Sequence, residues 1–394
     1  MKSSADASFK DNVYLASKPR YEILDGLRGV AALIIVAFHL FETYSKGPAY
    51  QILNHGYLAV DFFFVLSGFV IGYAYDDRWD RMSTWNFIKR RLVRLHPMVI
   101  FGCMIGAALF YFGDCEAFPL IGKTPGWMVV VVMLLCFTII PLPTSMDIRG
   151  WGETNPLNGT VWSLQWEYLA NLLYAFVIRR LSKVALTVCV FLFGCMTVML
   201  CFNIDWLGVW AQRTEAAYTV IGGWSLTPDQ LLIGVTRLLY PFFAGLLISR
   251  VHKLIKVSGG FWWCGLLVAI VLVMPRLGGT TGWINGLYES LAIIVVFPLV
   301  VSMGAGSTVT GKFSVSVCKF FGEVSYPIYI THYPLVYMQM AWASRHPDAP
   351  LSQHIAVSVG IYILAIFNAY AAYKLYDLPV RAWLKKKLFK QIAK

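Results

Sequence analysis

Two ionisable residues share one face of an apolar helix near the start of the chain. The stretch GLRGVAALIIVAFHL, residues 26–40, carries Arg28 near its beginning and His39 near its end. Eleven residues correspond to three helical turns plus about 20°, so both side chains project from the same face. They are offset by ~16 Å along the axis, about half of a ~30 Å hydrocarbon core. Because ionisable groups inside a membrane usually face a partner or a cavity, this spacing indicates a functional site.

The composition is that of a membrane protein. Of the 394 residues, 58% are hydrophobic and only 14% are charged, and long apolar runs recur from end to end. We therefore expect an all-α, polytopic helical bundle, with a polar cytoplasmic tail over 1–20, a transmembrane domain over 21–380 and a basic cytoplasmic tail over 381–394. The tail over 1–20 does not resemble a signal peptide. The eight cysteines form no CxxC pair, so we expect no metal site and no disulfide framework.

The basic residues predict how the chain crosses the membrane. The formal net charge is +12, but the lysines and arginines cluster beside apolar segments, which favours the positive-inside rule over nucleic-acid binding. The N-terminal tail, loops 76–94, 179–183, 250–256 and 305–319, and the C-terminal tail are basic and should be cytoplasmic. These assignments require about ten membrane spans in an inner membrane, with 126–142 as a re-entrant segment. The alternative is that one basic loop is an exception to the positive-inside rule. The eleven apolar segments are 26–44, 57–75, 95–113, 126–142, 160–178, 184–203, 231–249, 260–275, 285–304, 320–341 and 354–376.

Polar residues interrupt the second and third segments. Asp61 should lie near the outer interface, and Gly68 follows it on the same face. Gly68 would let a thin ligand approach, or simply allow close packing of two helices. Arg90 and Arg94 are four residues apart, and such pairs suit phosphate groups, although an ordinary anchor to lipid headgroups explains them as well.

Two later segments carry polar stripes. In 160–178, Glu167 lies one turn from the neighbouring polar residues, and its alternative role is an ion pair with a structural arginine. In 320–341, His332 is either functional or a core histidine bonded to a carbonyl. By helical rise, His39, Ser67 and His332 should lie near the middle of the membrane, with Glu167 slightly further out. These four would form an acid–base cluster. The stripes consist of Ser163, Glu167, Asn171 and Tyr174, and of Ser325, Tyr329 and His332.

Five motifs together resemble membrane-bound acyltransferase family 3. They are YEILDGLRGVAALIIVAFH (21–39), GYLAVDFFFVLSGFVIG (56–72), FIKRRLVRLHP (87–97), NGTVWSLQWEYL (158–169) and GEVSYPIYITHYPLV (322–336). The resemblance implies an integral membrane O-acyltransferase that moves a short acyl group, commonly acetyl, from cytoplasmic acyl-CoA to a hydroxyl of a saccharide, glycolipid or metabolite. It implies no permanently bound cofactor. Some members of the family continue into a soluble hydrolase-like domain, which we expect this chain to lack.

The resemblance, together with the polar residues of the apolar segments, suggests roles for individual residues. The catalytic set would be His39, Glu167 and His332, with His39 either deprotonating the acceptor or being acylated itself. Acyl-CoA would contact Arg28, Ser67, Gly68, Phe69, Arg90, Arg91 and Arg94. The acceptor would contact Asp61, Trp162, Ser163, Asn171 and Tyr329. The alternative function is a transporter or flippase for an acylated glycan or lipid, in which the same buried groups relay protons.

Overall fold

The computed structural model describes residues 18–47, 50–209, 213, 216–279 and 282–389, and within them every regular element is helical. Most of the predicted tail over 1–20 lies outside the described residues. The α-helices are α1 Glu22–Glu42, α2 Ala59–Tyr75, α3 Thr84–Ala108, α4 Gly126–Cys136, α5 Val161–Phe176, α6 Lys183–Cys201, α7 Pro228–Val251, α8 Gly260–Val273, α9 Trp283–Leu291, α10 Phe297–Gly306, α11 Lys312–Thr331, α12 Tyr333–Arg345, α13 Leu351–Ala372 and α14 Leu378–Leu388.

Many of these helices are long and apolar enough to cross a membrane. Seven helical stretches meet both requirements by length and composition, and α4 and α8 are shorter apolar helices. The eleven residues of α4 rise only ~16 Å, about half of a hydrocarbon core. Residues 126–142 therefore do not form a full-length span, which agrees with the prediction of a re-entrant segment. The chain is a multi-pass membrane protein.

Two helix pairs form the centre of the bundle: α2 packs along α7, and α1 packs along α11. Small residues allow both contacts. A Cβ added to Gly29 would overlap the backbone of Phe321, and one added to Gly245 would overlap the carbonyl of Val65. Close approach at small residues is the usual way in which membrane helices associate. This arrangement places α1 and α2, which carry the first predicted motifs, in the protein interior.

The predicted cytoplasmic loops meet at one end of the bundle, which we call the basic end. Arg250, at the end of α7, forms an ion pair with Asp76 after α2, at 2.7 Å. Its Nη1 also donates to the carbonyl of Leu181, between α5 and α6, at 2.8 Å. Lys18 donates to Asp77 at 2.8 Å. The basic loops therefore lie on one side, as the charge distribution predicts.

Several helices begin earlier than their apolar segments. We predicted 26–44, 95–113 and 320–341, whereas the helices α1, α3 and α11 begin at Glu22, Thr84 and Lys312. Polar residues at the basic end remain helical, because a helix satisfies their backbone hydrogen bonds whatever their side chains are. The basic run 87–97 therefore belongs to α3 rather than to a loop. A second difference is a break at His332, which separates α11 from α12 within the predicted single segment.

Candidate active site

A large cavity opens at the end of the bundle opposite the basic end. It has a volume of about 880 Å³, and its wall combines aromatic rings with ionisable groups. Such a mixture suits a hydroxyl-rich ligand, since ring faces contact the apolar side of a sugar and polar groups bind its hydroxyls. The lining includes His39, Glu42, Tyr57, Trp151, Glu153, Trp162, Trp224, Arg237, Tyr329 and Tyr333.

His39 lies in the last turn of α1 and is paired with a carboxylate. Its Nδ1 is 2.8 Å from Oε2 of Glu42, three residues later on the same face of the helix. A carboxylate that accepts the Nδ1 proton leaves Nε2 as the basic nitrogen, facing away from the pair. We did not identify Glu42 from the sequence, although the spacing of three residues was the available signal. The carboxylate that pairs with His39 is therefore that of Glu42. The sequence instead predicts Glu167 and His332 as the catalytic partners of this histidine.

The second predicted histidine lies beside the first. The ring centroids of His39 and His332 are 5.5 Å apart, and His332 is fully buried. Its Nδ1 is 2.8 Å from the carbonyl oxygen of Ile328. Within the part of the chain that the structure describes, its Nε2 has no hydrogen-bond partner. His332 thus makes the carbonyl contact of a core histidine through Nδ1. Its ring lies near His39, and within the described residues Nε2 accepts or donates no hydrogen bond.

The two histidines lie at the ends of their helices, far from the basic end. His39 is only three residues from the end of α1, and His332 follows the last residue of α11. Both lie ~26–30 Å by helical rise from the first residue of their helices at the basic end. We placed them near midplane because the apolar runs begin later than the helices do. His39 therefore lies in the wall of the large cavity, and His332 lies beside it. Both are away from Ser67 and Glu167.

Ser67 and Glu167 form a separate cluster with Arg91. Oε1 of Glu167 accepts hydrogen bonds from Nη2 of Arg91 at 2.8 Å and from Oγ of Ser67 at 3.1 Å. This confirms the alternative in which Glu167 pairs with an arginine. The cluster lines a smaller cavity of about 90 Å³, together with Arg28 and Arg94. The predicted group of four therefore divides into two pairs at different depths.

A third cavity, of about 220 Å³, opens at the basic end. It contains all four arginines predicted to hold phosphate, namely Arg28, Arg90, Arg91 and Arg94. Arg28 also donates to Asp25 at 3.0 Å, and Arg90 donates to Asn86 at 3.0 Å. Guanidinium groups gathered in one cleft suit a ligand with several phosphates. Further cationic residues in its wall are Lys18, Arg20, Arg78, Arg381 and Lys385.

The three cavities follow one another through the protein. Arg28, Arg91 and Arg94 line both the basic cavity and the small cavity. Val60 and Tyr329 line both the small cavity and the large one. The hydroxyl of Tyr329 is 2.6 Å from Oγ of Ser163, so this pair lies where the small and large cavities meet. Consecutive cavities that share lining residues therefore connect the arginines to His39.

Gly68 and Phe69 do not line any of these cavities. A Cβ on Gly68 would overlap the carbonyl oxygen of Phe242, so Gly68 is the point of closest approach between α2 and α7. Phe69 is 1% exposed, and its ring packs against that of Tyr21. Neither residue therefore supports the prediction that both contact acyl-CoA, whereas the contact of Gly68 with α7 agrees with the packing alternative. Small residues serve both purposes, which is why the sequence did not decide between them.

Asp61 lies near the start of α2, at the end away from the basic end, but it faces the protein interior. It is fully buried, and its Oδ2 accepts a hydrogen bond from Nη2 of Arg237 at 2.7 Å. Arg237 in turn lines the large cavity and lies over the ring of Trp162, 5.1 Å from its centroid. Asp61 therefore holds Arg237 in the cavity wall and does not itself face the acceptor space. Sequence spacing did not reveal Arg237 as its partner, because the two residues are 176 positions apart.

The other residues predicted for the acceptor fall in different places. Trp162 lines the large cavity, Tyr329 lines both the large and the small cavity, and Ser163 lines the small one. Asn171 lies one turn beyond Glu167, donates to its carbonyl oxygen at 2.8 Å and lines none of the three cavities. Of the predicted set, only Trp162 and Tyr329 contact the large space.

Comparison with known proteins agrees with the resemblance. The family model described as "Acyltransferase domain", of acyltransferase family 3, matches residues 21–374. The chain is 24% identical to "O-acetyltransferase OatA" of Staphylococcus aureus over 397 aligned positions, which cover 95% of this chain and 59% of that protein. It is 33% identical over 166 residues to "Protein 2 in picA locus" of Rhizobium radiobacter, covering 40% of this chain and 81% of that protein.

A shorter match concerns "Peptidoglycan O-acetyltransferase OatA" of Listeria monocytogenes, 35% identical over 79 residues, which are 19% of this chain and 11% of that protein. This chain thus spans about three fifths of its staphylococcal relative. No solved structure matches it. The family match covers nearly the whole chain, including both histidines and Arg28, Arg90, Arg91 and Arg94. The chain belongs to acyltransferase family 3, and it is a multi-pass membrane acyltransferase.

Proposed function

We propose that this protein is an O-acetyltransferase that takes an acetyl group from cytoplasmic acetyl-CoA and transfers it to a hydroxyl of a saccharide or saccharide-linked lipid. The observation that carries the proposal is the series of three cavities between the arginines and the His39–Glu42 pair. The staphylococcal and listerial relatives are named O-acetyltransferases, which supports the acetyl group and the oxygen acceptor.

The basic cavity fits the nucleotide part of coenzyme A. Arg28, Arg90 and Arg94 offer guanidinium groups at its wall, and charge-assisted bonds to phosphate are among the strongest in proteins. The positive-inside rule supports a cytoplasmic location for this end, in an inner membrane, because the basic loops gather there. The pantetheine arm would then extend through the small cavity, past the Tyr329–Ser163 pair, and bring the thioester to His39.

His39 is suited to act as the general base. In the proposed step, Nε2 of His39 takes the proton of the acceptor hydroxyl as its oxygen attacks the thioester carbonyl. The carbon–sulfur bond then breaks, and the imidazolium returns the proton to the leaving thiolate. Glu42 keeps Nδ1 protonated and stabilises the imidazolium, as the third member of a serine hydrolase triad does. The ring of His332 lies 5.5 Å from that of His39, where it can help to position the histidine for this step.

The decisive experiment measures transfer of label from acetyl-CoA to a saccharide by purified protein. We expect His39→Ala to lose at least ~100-fold in turnover, since general base catalysis contributes on that order. The matched control is His346→Ala, because His346 is exposed and stacks on Trp342 outside the three cavities. Equal transfer by His39→Ala and the parent protein would overturn the catalytic assignment.

The second candidate function is a transporter or flippase, and the consecutive cavities also fit a substrate pathway. The arginine cleft discriminates between the two, because a proton relay has no need for it. A transporter for a glycan or lipid should not be stabilised against thermal unfolding by coenzyme A, whereas an acetyltransferase should be.

A further inference from the structure

A second carboxyl group faces the large cavity from a loop that the proposed reaction does not use. Glu153 belongs to the segment between α4 and α5, and this segment is held rigidly by its own hydrogen bonds. The carboxylate of Asp147 accepts from the backbone N–H groups at positions 149, 150 and 152, at 2.8, 3.0 and 2.7 Å. Trp151 donates from Nε1 to the carbonyl of Ala117 at 2.7 Å. Trp151 and Glu153 are thereby fixed in the cavity wall.

The orientation of the Glu153 carboxyl group is determined by α12. The hydroxyl of Tyr337 donates to its Oε2 at 2.6 Å and itself accepts from the backbone N–H of Gly159 at 3.1 Å. Gly159 has no side chain to displace the carboxyl group, since a Cβ there would overlap Oε1. The carboxyl group is thus held in one position at the edge of the cavity, although it has no part in the His39–Glu42 pair.

Two tyrosine rings connect this carboxyl group to the histidine. The ring of Tyr333 is 4.6 Å from that of His39 and 4.7 Å from that of Tyr337, measured between centroids. Tyr333 and Tyr337 are one helical turn apart on α12, about 6 Å along the axis. A ligand in the cavity can therefore contact Glu153 while one of its hydroxyls lies at His39.

The titratable groups around Glu153 come from three elements. Asp147 and Arg149 belong to its own loop, Glu42 belongs to α1, and the tyrosines Tyr333 and Tyr337 belong to α12. Burial raises the pKa of Glu153 to about 7, although the bond from Tyr337 and the charge of Arg149 oppose this. Around neutral pH the group is therefore partly protonated, and the protonated form can donate a hydrogen bond.

We propose that Glu153 binds a hydroxyl group of the saccharide acceptor and so positions the sugar against the His39–Glu42 pair. Trp151, two residues earlier in the same loop, provides an aromatic surface in the same wall. This inference rests on the proposed function, because it names a specificity-determining residue for the same acceptor. A sugar that enters the cavity excludes water and disfavours the charged carboxylate, so the protonated form binds it more tightly.

Two substitutions of Glu153 distinguish its hydrogen bond to the acceptor from the effect of its protonation state. Glu153→Leu removes the hydrogen bond, and we expect the KM for the acceptor to rise about tenfold at pH 6 with the KM for acetyl-CoA unchanged. Glu153→Gln keeps a donor at every pH, so its acceptor KM should stay constant between pH 6 and pH 8, whereas that of the parent rises. Tyr337→Phe removes a bond that favours the charged form and should shift this rise to higher pH. Glu116→Gln, at an exposed site, is the matched control.

A binding measurement keeps the inference testable without turnover. Trp151, Trp162 and Trp224 line the cavity, so their fluorescence should change when chitotetraose, cellotetraose or maltotetraose binds. If the parent transfers acetyl but the Glu153 variants match it in acceptor KM and pH dependence, this inference is wrong and the proposed function stands. If the parent neither transfers acetyl nor is stabilised by coenzyme A, yet binds a saccharide through Glu153, the proposed function is wrong and this site remains. A parent protein that binds none of these saccharides overturns the inference.

Discussion

Nδ1 of His39 lies 2.8 Å from Oε2 of Glu42, one helical turn further along α1. The pair lines the large cavity, and the ring of His332 lies beside it. In the proposed reaction, a single helix thus provides both the base and the group that orients it. Because the two residues are only three positions apart, their geometry depends on α1 alone and not on the packing of distant segments.

The first prediction concerns Glu42. In Glu42→Gln a neutral amide replaces the carboxylate. The amide carries no negative charge that could stabilise the imidazolium formed when His39 takes a proton. We expect turnover to fall by at least ~100-fold with little change in either KM, because the interaction strengthens only in the transition state. Steady-state kinetics with labelled acetyl-CoA measure this. Full activity in Glu42→Gln would exclude the pair from catalysis, and Glu116→Gln serves as the control.

The second prediction concerns the basic cavity. Arg94→Gln removes one guanidinium from its wall, so the KM for acetyl-CoA should rise about tenfold, as expected for loss of a charge-assisted bond. Acetyl-pantetheine has the same thioester but lacks the nucleotide, and its use should be unaffected. Lys183→Gln, at an exposed basic site outside the cavity, should change neither value. Equal losses with both donors would show that Arg94 does not bind the nucleotide.

The third prediction concerns Asp61 and Arg237. Asp61→Asn leaves a guanidinium buried without its counter-charge, and breaking a buried pair in this way costs about 3–5 kcal/mol. Thermal unfolding in detergent should show a large loss of stability in the single variant and a smaller one in Asp61→Asn combined with Arg237→Met. Asp77→Asn breaks an exposed pair with Lys18 and should change stability by less than about 1 kcal/mol. A normal melting temperature in Asp61→Asn would contradict a structural role.

The fourth prediction compares two glycines in helices. Gly68→Ala places a methyl group against the carbonyl of Phe242 and must push α2 away from α7, so we expect a loss of about 1–3 kcal/mol. Gly360→Ala, in α13, meets nothing within 4 Å and should be neutral or stabilising by up to ~1 kcal/mol. Melting temperatures measured side by side decide the matter. A Gly68→Ala protein as stable as the parent, with a raised KM for acetyl-CoA, would restore the original ligand-binding prediction.

The fifth prediction is the pH dependence that Glu153 gives to stability. Its pKa is raised in the folded protein from 4.5 to about 7, so folding favours the protonated carboxyl group. The contribution of Glu153 to the free energy of unfolding is fully present below pH 4.5. As the pH rises to about 7 this contribution is lost, and the free energy of unfolding falls by roughly 3 kcal/mol. The stability of the parent relative to Glu153→Gln should therefore fall over this range, as followed by thermal unfolding at a series of pH values. A constant difference would show that Glu153 is not buried as described.

The sequence by itself determined the helical membrane fold, the grouping of the basic loops and the four arginines of the basic cavity. Apolar runs and flanking arginines carry this information locally, because each helix satisfies its own backbone hydrogen bonds. Arg28, Arg90, Arg91 and Arg94 were placed together correctly because they flank the same side of the membrane.

Only the tertiary structure decided how deep the residues lie and which of them meet. The depth of His39 depends on where α1 begins, and polar residues extend that helix beyond its apolar run. The roles of Gly68 and Asp61 depend on α7, which is more than 150 positions away in the chain, and no pattern within one helix shows which helix packs against it. The Arg28–His39 face that the sequence identified has local partners in Asp25 and Glu42 of α1 itself, whereas the ring of His332, from the end of α11, meets it only because the helices pack together.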